Sequence, residues 1–206
     1  MSSLQPSGRW ERPALPPRSE GDLEREVLRA LDRADRDKAL SLLMQGYGRP
    51  VYRYCRRMLA DAELTDDVHQ LVFVQAYEGL RSFGRRSSLR TWLFGIAHNR
   101  CLDALKIGRR RQRRFSLTDE LPETPEPAAT VEEKLTERSR AWGLSRCLQA
   151  LAPRIREAVL LRYQQEITYE EMARLTGERP ATLQARVARA LPVLRRCLET
   201  QREKES

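Results

Sequence analysis

Leu89 to Lys106 reads LRTWLFGIAHNRCLDALK and runs at once into the basic stretch GRRRQRR over residues 108–114. Wound as a helix, it brings Trp92, Asn99, Asp103 and Lys106 near one another on one side. Leu93, Ala97, Cys101, Ala104 and Leu105 gather on another. The apolar side can pack into a core while the other presents an aromatic ring, hydrogen-bonding groups and positive charge. That combination suits unpaired nucleic acid, because a ring stacks on a base while cations hold phosphate. An inert amphipathic helix with a solvated basic end would look the same, so the rest of the chain must decide.

Over 206 residues, Lys+Arg 38 against Asp+Glu 29 gives a formal net charge of +9. Such a balance favours a polyanionic partner. Aromatics are only 6% and helix formers dominate, the composition of a helical protein. No apolar run approaches the ~18 residues of a membrane span. The first residues are charged and proline-rich where a secretion signal needs an apolar core, so a cytoplasmic location is expected. Cys55, Cys101, Cys147 and Cys197 lie far apart inside apolar helical patterns, with His69 and His98 the two imidazoles. No metal site is expected from that spacing, and all four cysteines read as buried free thiols.

Residues 1–20, with Pro6, Pro13, Pro16 and Pro17, read as a disordered tail. A first helix follows from Asp22 to Leu31, and a second begins near Asp35. Gly46, Gly48 and Pro50 are expected to interrupt it before a third from Val51 to about Ala60. Thr65 or Asp66 is a candidate cap for a fourth reaching Leu80, and Ser88 for the helix quoted above. These helices make one bundle over residues 21–112. Residues 113–133 then hold Asp119, Glu120, Glu123, Glu126, Glu132 and Glu133 among prolines, as a flexible acidic linker.

A second module spans residues 134–200. Val131, Leu135, Trp142, Leu144, Cys147 and Leu148 line its first helix, and Pro153 opens another. Thr168-Tyr169-Glu170-Glu171 is a capping box that starts a short helix. Thr176-Gly177 ends it, and Pro180 suits the first turn of a helix burying Leu183, Val187 and Ala190. Two helices about a glycine-containing turn, the second rich in arginine, form a helix-turn-helix pattern. The fold class is therefore all-α, with two small helical domains.

Both modules in this order resemble the extracytoplasmic-function (ECF) sigma factors of the sigma-70 family. In the first module the likeness rests on Asp67-Val68-His69-Gln70, Phe73, Ala76-Tyr77, Phe83, Arg90-Thr91-Trp92-Leu93, Asn99 and Asp103. In the second it rests on Leu151, Pro153, Arg156-Glu157, Arg162-Tyr163, the capping box, Gly177, Thr182-Leu183, Arg186 and Arg189-Ala190. The resemblance implies a protein without catalysis or cofactor that binds core RNA polymerase, through the largest subunit's coiled coil and the flap. It also implies contact with double- and single-stranded promoter DNA, and an anti-sigma factor as a further partner. Asp67, Gln70, Leu71 and Val74 would grip polymerase. Ser87, Ser88, Arg90, Trp92, Asn99, Arg100, Asp103 and Lys106 would open the −10 element and hold flipped bases. Thr182, Gln184, Ala185, Arg186 and Arg189 would meet the −35 element in the major groove.

Several positions depart from the family's habit. Leu71 stands where an acidic residue is usual, and His69 and Glu178 where apolar ones are. Ala181, Ala185 and Ala188 line the outward side of the recognition helix, where alanine can touch a thymine methyl but bonds no base edge. Arg186 and Arg189 are therefore expected to contact phosphate. A dimeric helix-turn-helix regulator would explain the second module but leaves Trp92, Asn99 and Asp103 unassigned. A nucleic-acid enzyme would need clustered carboxylates or an activated nucleophile. Ser87 and Ser88 beside Arg85, Arg86 and Arg90 are better read as a capped loop–helix junction.

Overall fold

The computed structural model describes residues 20–115 and 143–205, all of whose regular elements are helical. Helix α1 (Glu20–Asp32) buries Leu23, Val27 and Ala30 on one stripe. Helix α2 (Arg36–Leu59) is capped by Asp35, whose carboxylate accepts from the Lys38 N–H at 2.9 Å. Arg56 and Arg57 close its last turn, where cations suit the helix dipole. The expected break at Gly46, Gly48 and Pro50 does not occur, because α2 runs through all three. An internal proline costs about 3 kcal/mol. Tyr47, Val51, Tyr54 and Met58 are buried on both sides of it, and each such side chain contributes roughly 1.5–3 kcal/mol. Packing outweighs the local penalty.

Helix α3 (Ala62–Gly79) begins earlier than the sequence indicates. Asp61 is its cap, accepting from Leu64 N–H at 2.8 Å, while Thr65 is buried and donates its hydroxyl to the Asp61 carbonyl. A short 3-10 turn, Leu80–Ser82, leads to helix α4 (Leu89–Phe115). Ser88 does cap α4, its hydroxyl oxygen accepting from Thr91 N–H at 3.0 Å. Because α4 continues to Phe115, the first module passes the expected boundary at 112. Residues 1–19 of the expected tail, and residues 116–142 with the linker's acidic residues and Trp142, lie outside the described residues.

The second module comprises α5 (143–149), α6 (Pro153–Val159), α7 (Tyr169–Thr176) and α8 (Pro180–Glu205). A wide π turn, Leu160–Gln164, ends α6. The capping box forms as expected, with Thr168 and Glu171 bonding reciprocally. Gly177 closes α7 at φ 74°, a left-handed conformation that glycine adopts without strain. Helix α8 runs through Pro192 and continues to Glu205.

Cys147 and Cys197 form a disulfide, which corrects the reading of four free thiols. The end of α8 returns to lie beside α5, bringing the two Cα atoms to 5.8 Å. Cys55 and Cys101 remain free and buried. The modules are also docked, α4 against α7 and α2 against α6, so their buried side chains form one continuous cluster.

Candidate polymerase and nucleic-acid interfaces

Helix α3 turns Asp67, Gln70, Leu71 and Val74 outward, although Leu71 and Val74 are apolar and each is 50% exposed. Beside them a groove of about 500 Å³ runs between α2 and α3, lined by Leu40, Met44, Phe73 and Tyr77. His69 forms part of its floor. Its Nε2 lies 3.1 Å from the Gly48 carbonyl oxygen, and its ring meets Tyr52 and Phe73 edge-on. The imidazole thus does an apolar residue's packing while reaching a helix carbonyl.

Helix α4 has three faces. Leu93, Ala97 and Cys101 enter the first module's core. Asn99, Asp103 and Lys106 are exposed, and Lys106 pairs with Asp103 at 3.1 Å. Arg100 lies half-buried at the edge of this face, its Nε donating to Gln75 Oε1 at 2.6 Å. Trp92, grouped with Asn99 by spacing, does not lie open. Its half-buried ring packs over Gly79 and against Phe83, with centroids 5.1 Å apart. Ser88 is occupied in capping, and Ser87 and Arg90 are half-buried around it.

The third face, Thr91, Gly95 and His98, meets the second module. Thr91 Oγ1 donates to Glu171 Oε1 at 2.9 Å. An ideal Cβ at Gly95 would lie 2.7 Å from Leu175 Cδ2, so a larger residue there would have to displace that side chain. His98 Nδ1 lies 3.1 Å from Glu157 Oε1, and both side chains are almost wholly enclosed. Burial lowers the His98 pKa to about 4 and raises that of Glu157 to about 7. Between those values the pair holds a single proton.

Beside that pair, Arg156 is buried and holds the seam through main-chain oxygens. It donates to the carbonyls of Leu148, Gln149 and Leu151 in its own module and of Met58 across the seam. Met58, Leu148 and Gln149 belong to the last turns of α2 and α5, so one guanidinium caps two helix C-termini. Gln149 Nε2 donates to the Arg57 carbonyl at 2.7 Å, and Arg57 Nη1 to Gln164 Oε1 at 3.0 Å. Sequence reasoning missed this entire seam. The one available signal was His98 and Gly95 standing out of the apolar pattern of α4.

On α8, Leu183, Val187 and Ala190 are buried, while Thr182, Gln184, Ala185 and Arg189 are exposed. Arg189 Nε donates to the Ala185 carbonyl at 3.2 Å. Arg186 is placed differently from its expected role. Its two Nη atoms donate to both oxygens of Glu178 at 2.9 and 2.5 Å, and its side chain is only 16% exposed. Arg154 Nη1 adds a contact to Glu178 at 3.1 Å. A separate apolar groove, lined by Leu144, Val159, Tyr163, Leu191 and Leu194, opens beside α8.

The family model for sigma-70 region 2 matches residues 43–114, and that for sigma-70 region 4 matches residues 143–191. The chain is 27% identical to the ECF RNA polymerase sigma factor SigK of Mycobacterium tuberculosis over 193 residues, covering 89% of this chain and 97% of that protein. It is 29% identical over 166 residues to the RNA polymerase sigma factor YlaC of Bacillus subtilis, covering 79% and 94%. In fold it is similar to the sigma factor RpoE of Bartonella quintana, solved with the anti-sigma factor NepR. That match has a TM-score of 0.60 at 20% identity and covers 79% of this chain and 98% of that one. CnrH, solved with the cytosolic domain of CnrY, gives 0.61 at 23% identity, covering 87% and 99%. Region 2 with its three-faced α4, followed by region 4 with its helix-turn-helix, identifies the chain as a member of the ECF group of the sigma-70 family, which binds core RNA polymerase and opens promoter DNA to initiate transcription.

Proposed function

We propose that the work of initiation is divided among four surfaces of this chain, with no catalytic step on any of them. The outward side of α3, Asp67, Gln70, Leu71 and Val74, grips the coiled coil of the largest polymerase subunit. Apolar side chains left half-exposed in a charged setting favour a protein partner there. The groove beside α8 takes the polymerase flap. On α4, Asn99, Asp103 and Lys106 with Arg100 receive the opened non-template strand of the −10 element. Ser87, Ser88, Arg90 and Trp92 shape the loop and helix start that present them. Thr182, Gln184, Ala185 and Arg189 on α8 face the −35 element.

The observation that carries this reading is the open polar face of α4, on a helix otherwise fixed by its core and seam contacts. A rigid support holds those side chains without further ordering cost when bases arrive. The chain acts in the cytoplasm with polymerase. Of the solved structures similar in fold, RpoE was captured with an anti-sigma factor, and the exposed apolar grooves of both modules suit such a partner here. Run-off transcription with bacterial core polymerase on a genomic fragment library tests the reading. Start sites sharing two upstream elements are expected, and duplex binding without promoter-specific transcripts would instead make the chain a polymerase-independent regulator.

A further inference from the structure

Glu178 sits in the turn between α7 and α8, at the mouth of the helix-turn-helix. The turn is held rigidly, Thr176 Oγ1 donating to the Met172 carbonyl at 2.9 Å and accepting from Glu178 N–H at 3.3 Å. From this base the carboxylate reaches α8 and closes a two-pronged pair with Arg186, while Arg154 approaches from α6. Arg186 lies two turns into α8, and helical side chains lean towards the N-terminus, which directs its guanidinium back at the turn. Both partners are mostly enclosed, at 16% and 20% side-chain exposure. Hydrogen bonding to Arg186 keeps the Glu178 carboxyl below its ordinary range, so it is charged at neutral pH.

The chemistry of the rest of α8 makes this pair consequential. Ala181, Ala185 and Ala188 offer no hydrogen bond to a base edge, so phosphate contacts carry much of this helix's affinity for DNA. Arg189 is exposed on the same stretch. Arg186, three residues away, has its fork already filled by a carboxylate of matching geometry.

We propose that Glu178 is a positioning residue that withholds Arg186 from duplex DNA and so sets the second module's affinity for it. The proposal rests on α8 being the duplex-facing helix. Each phosphate engaged changes the logarithmic salt slope by about 0.9, or about eightfold in affinity for a tenfold change in salt. One arginine gained or lost is therefore readable.

The test is fluorescence anisotropy of a labelled mixed-sequence duplex with the full-length chain over a potassium chloride series. Arg189→Ala is expected to flatten the slope by about one phosphate, and Arg186→Met to leave it unchanged. Glu178→Gln and Glu178→Ala are expected to tighten binding and steepen the slope by about one phosphate, provided Arg186 is present. Two variants guard against one that misfolds, and far-UV circular dichroism checks both. An unchanged or flatter slope in folded Glu178 variants overturns the proposal. So does a gain that persists in the Glu178→Gln/Arg186→Met double variant, since mere loss of repulsion would then explain it. If Arg189→Ala and both Glu178 variants all leave the slope untouched, the assignment of α8 to duplex DNA falls as well.

Discussion

Helices α4 and α8 both set an apolar stripe into a core, yet they offer DNA opposite things. Helix α4 is held on two sides, by its own bundle and by the seam, and leaves a third side open with an amide, a carboxylate and an ammonium. Helix α8 is held on one side, exposes Ala181, Ala185 and Ala188 with Thr182, Gln184 and Arg189 over its first half, and has Arg186 bound to its own module. Fixed polar groups can discriminate among bases, whereas small apolar ones mainly permit close approach. On the proposed assignment of these helices to DNA, promoter choice is expected to be weighted towards region 2.

The largest expected effect would unmake the support of α8 and leave α4 standing. The Cys147–Cys197 bridge links residues 50 apart, and closing such a loop is worth about 4 kcal/mol on chain-entropy grounds. Urea unfolding followed by circular dichroism should lose about that much on reduction, with Cys147→Ser giving the same loss. A loss under about 1 kcal/mol would mean that packing alone holds α5 to α8.

Next comes the comparison between the helices. Asn99→Ala should lower open-complex formation about tenfold, roughly 1.4 kcal/mol, as expected for one lost pocket hydrogen bond. Gln184→Ala on α8 should stay within about 0.5 kcal/mol in the same permanganate-footprinting assay. The reverse ranking would move discrimination to region 4.

A smaller effect tests the seam that steadies α4. The ordinary pKa of His98 is 6.5 and falls to about 4 in the docked state, so its contribution is present above pH 6.5 and lost as pH falls through 4. That of Glu157 rises from 4.5 to about 7, so its contribution is present below pH 4.5 and lost as pH rises through 7. Between 4.5 and 6.5 docked and separated modules each bind one proton, and docking should be flat with pH. Above 6.5 it should weaken, because docked Glu157 still holds a proton that the separated modules have released. Fluorescence energy transfer between dyes on the two modules measures this, and Glu157→Gln should abolish the alkaline decline.

What was legible in the sequence was local. Ser88 caps α4, and Thr168 and Glu171 bond reciprocally, because partners three residues apart meet in any helix start. Leu183, Val187 and Ala190 followed from helical period alone. Pro50 misled because its cost is local while the burial that overrides it comes from other helices. Trp92 misled because spacing gives a direction but not what fills it, here Phe83 and Gly79. The seam was illegible for a plainer reason: Arg57 and Gln164 are separated by 107 residues, and Arg156 and Met58 by 98. Even Arg186 and Glu178, eight apart, obey no repeat that a helix would signal.

The disulfide also has a topological meaning. It joins α5 to the far part of α8, so the turn between α7 and α8, with Glu178, Arg186 and Arg189, lies inside a covalent ring. A protease that cuts anywhere between residues 148 and 196 would open the ring without separating the fragments. The nicked chain would migrate intact until a thiol reagent is added, and only then split in two.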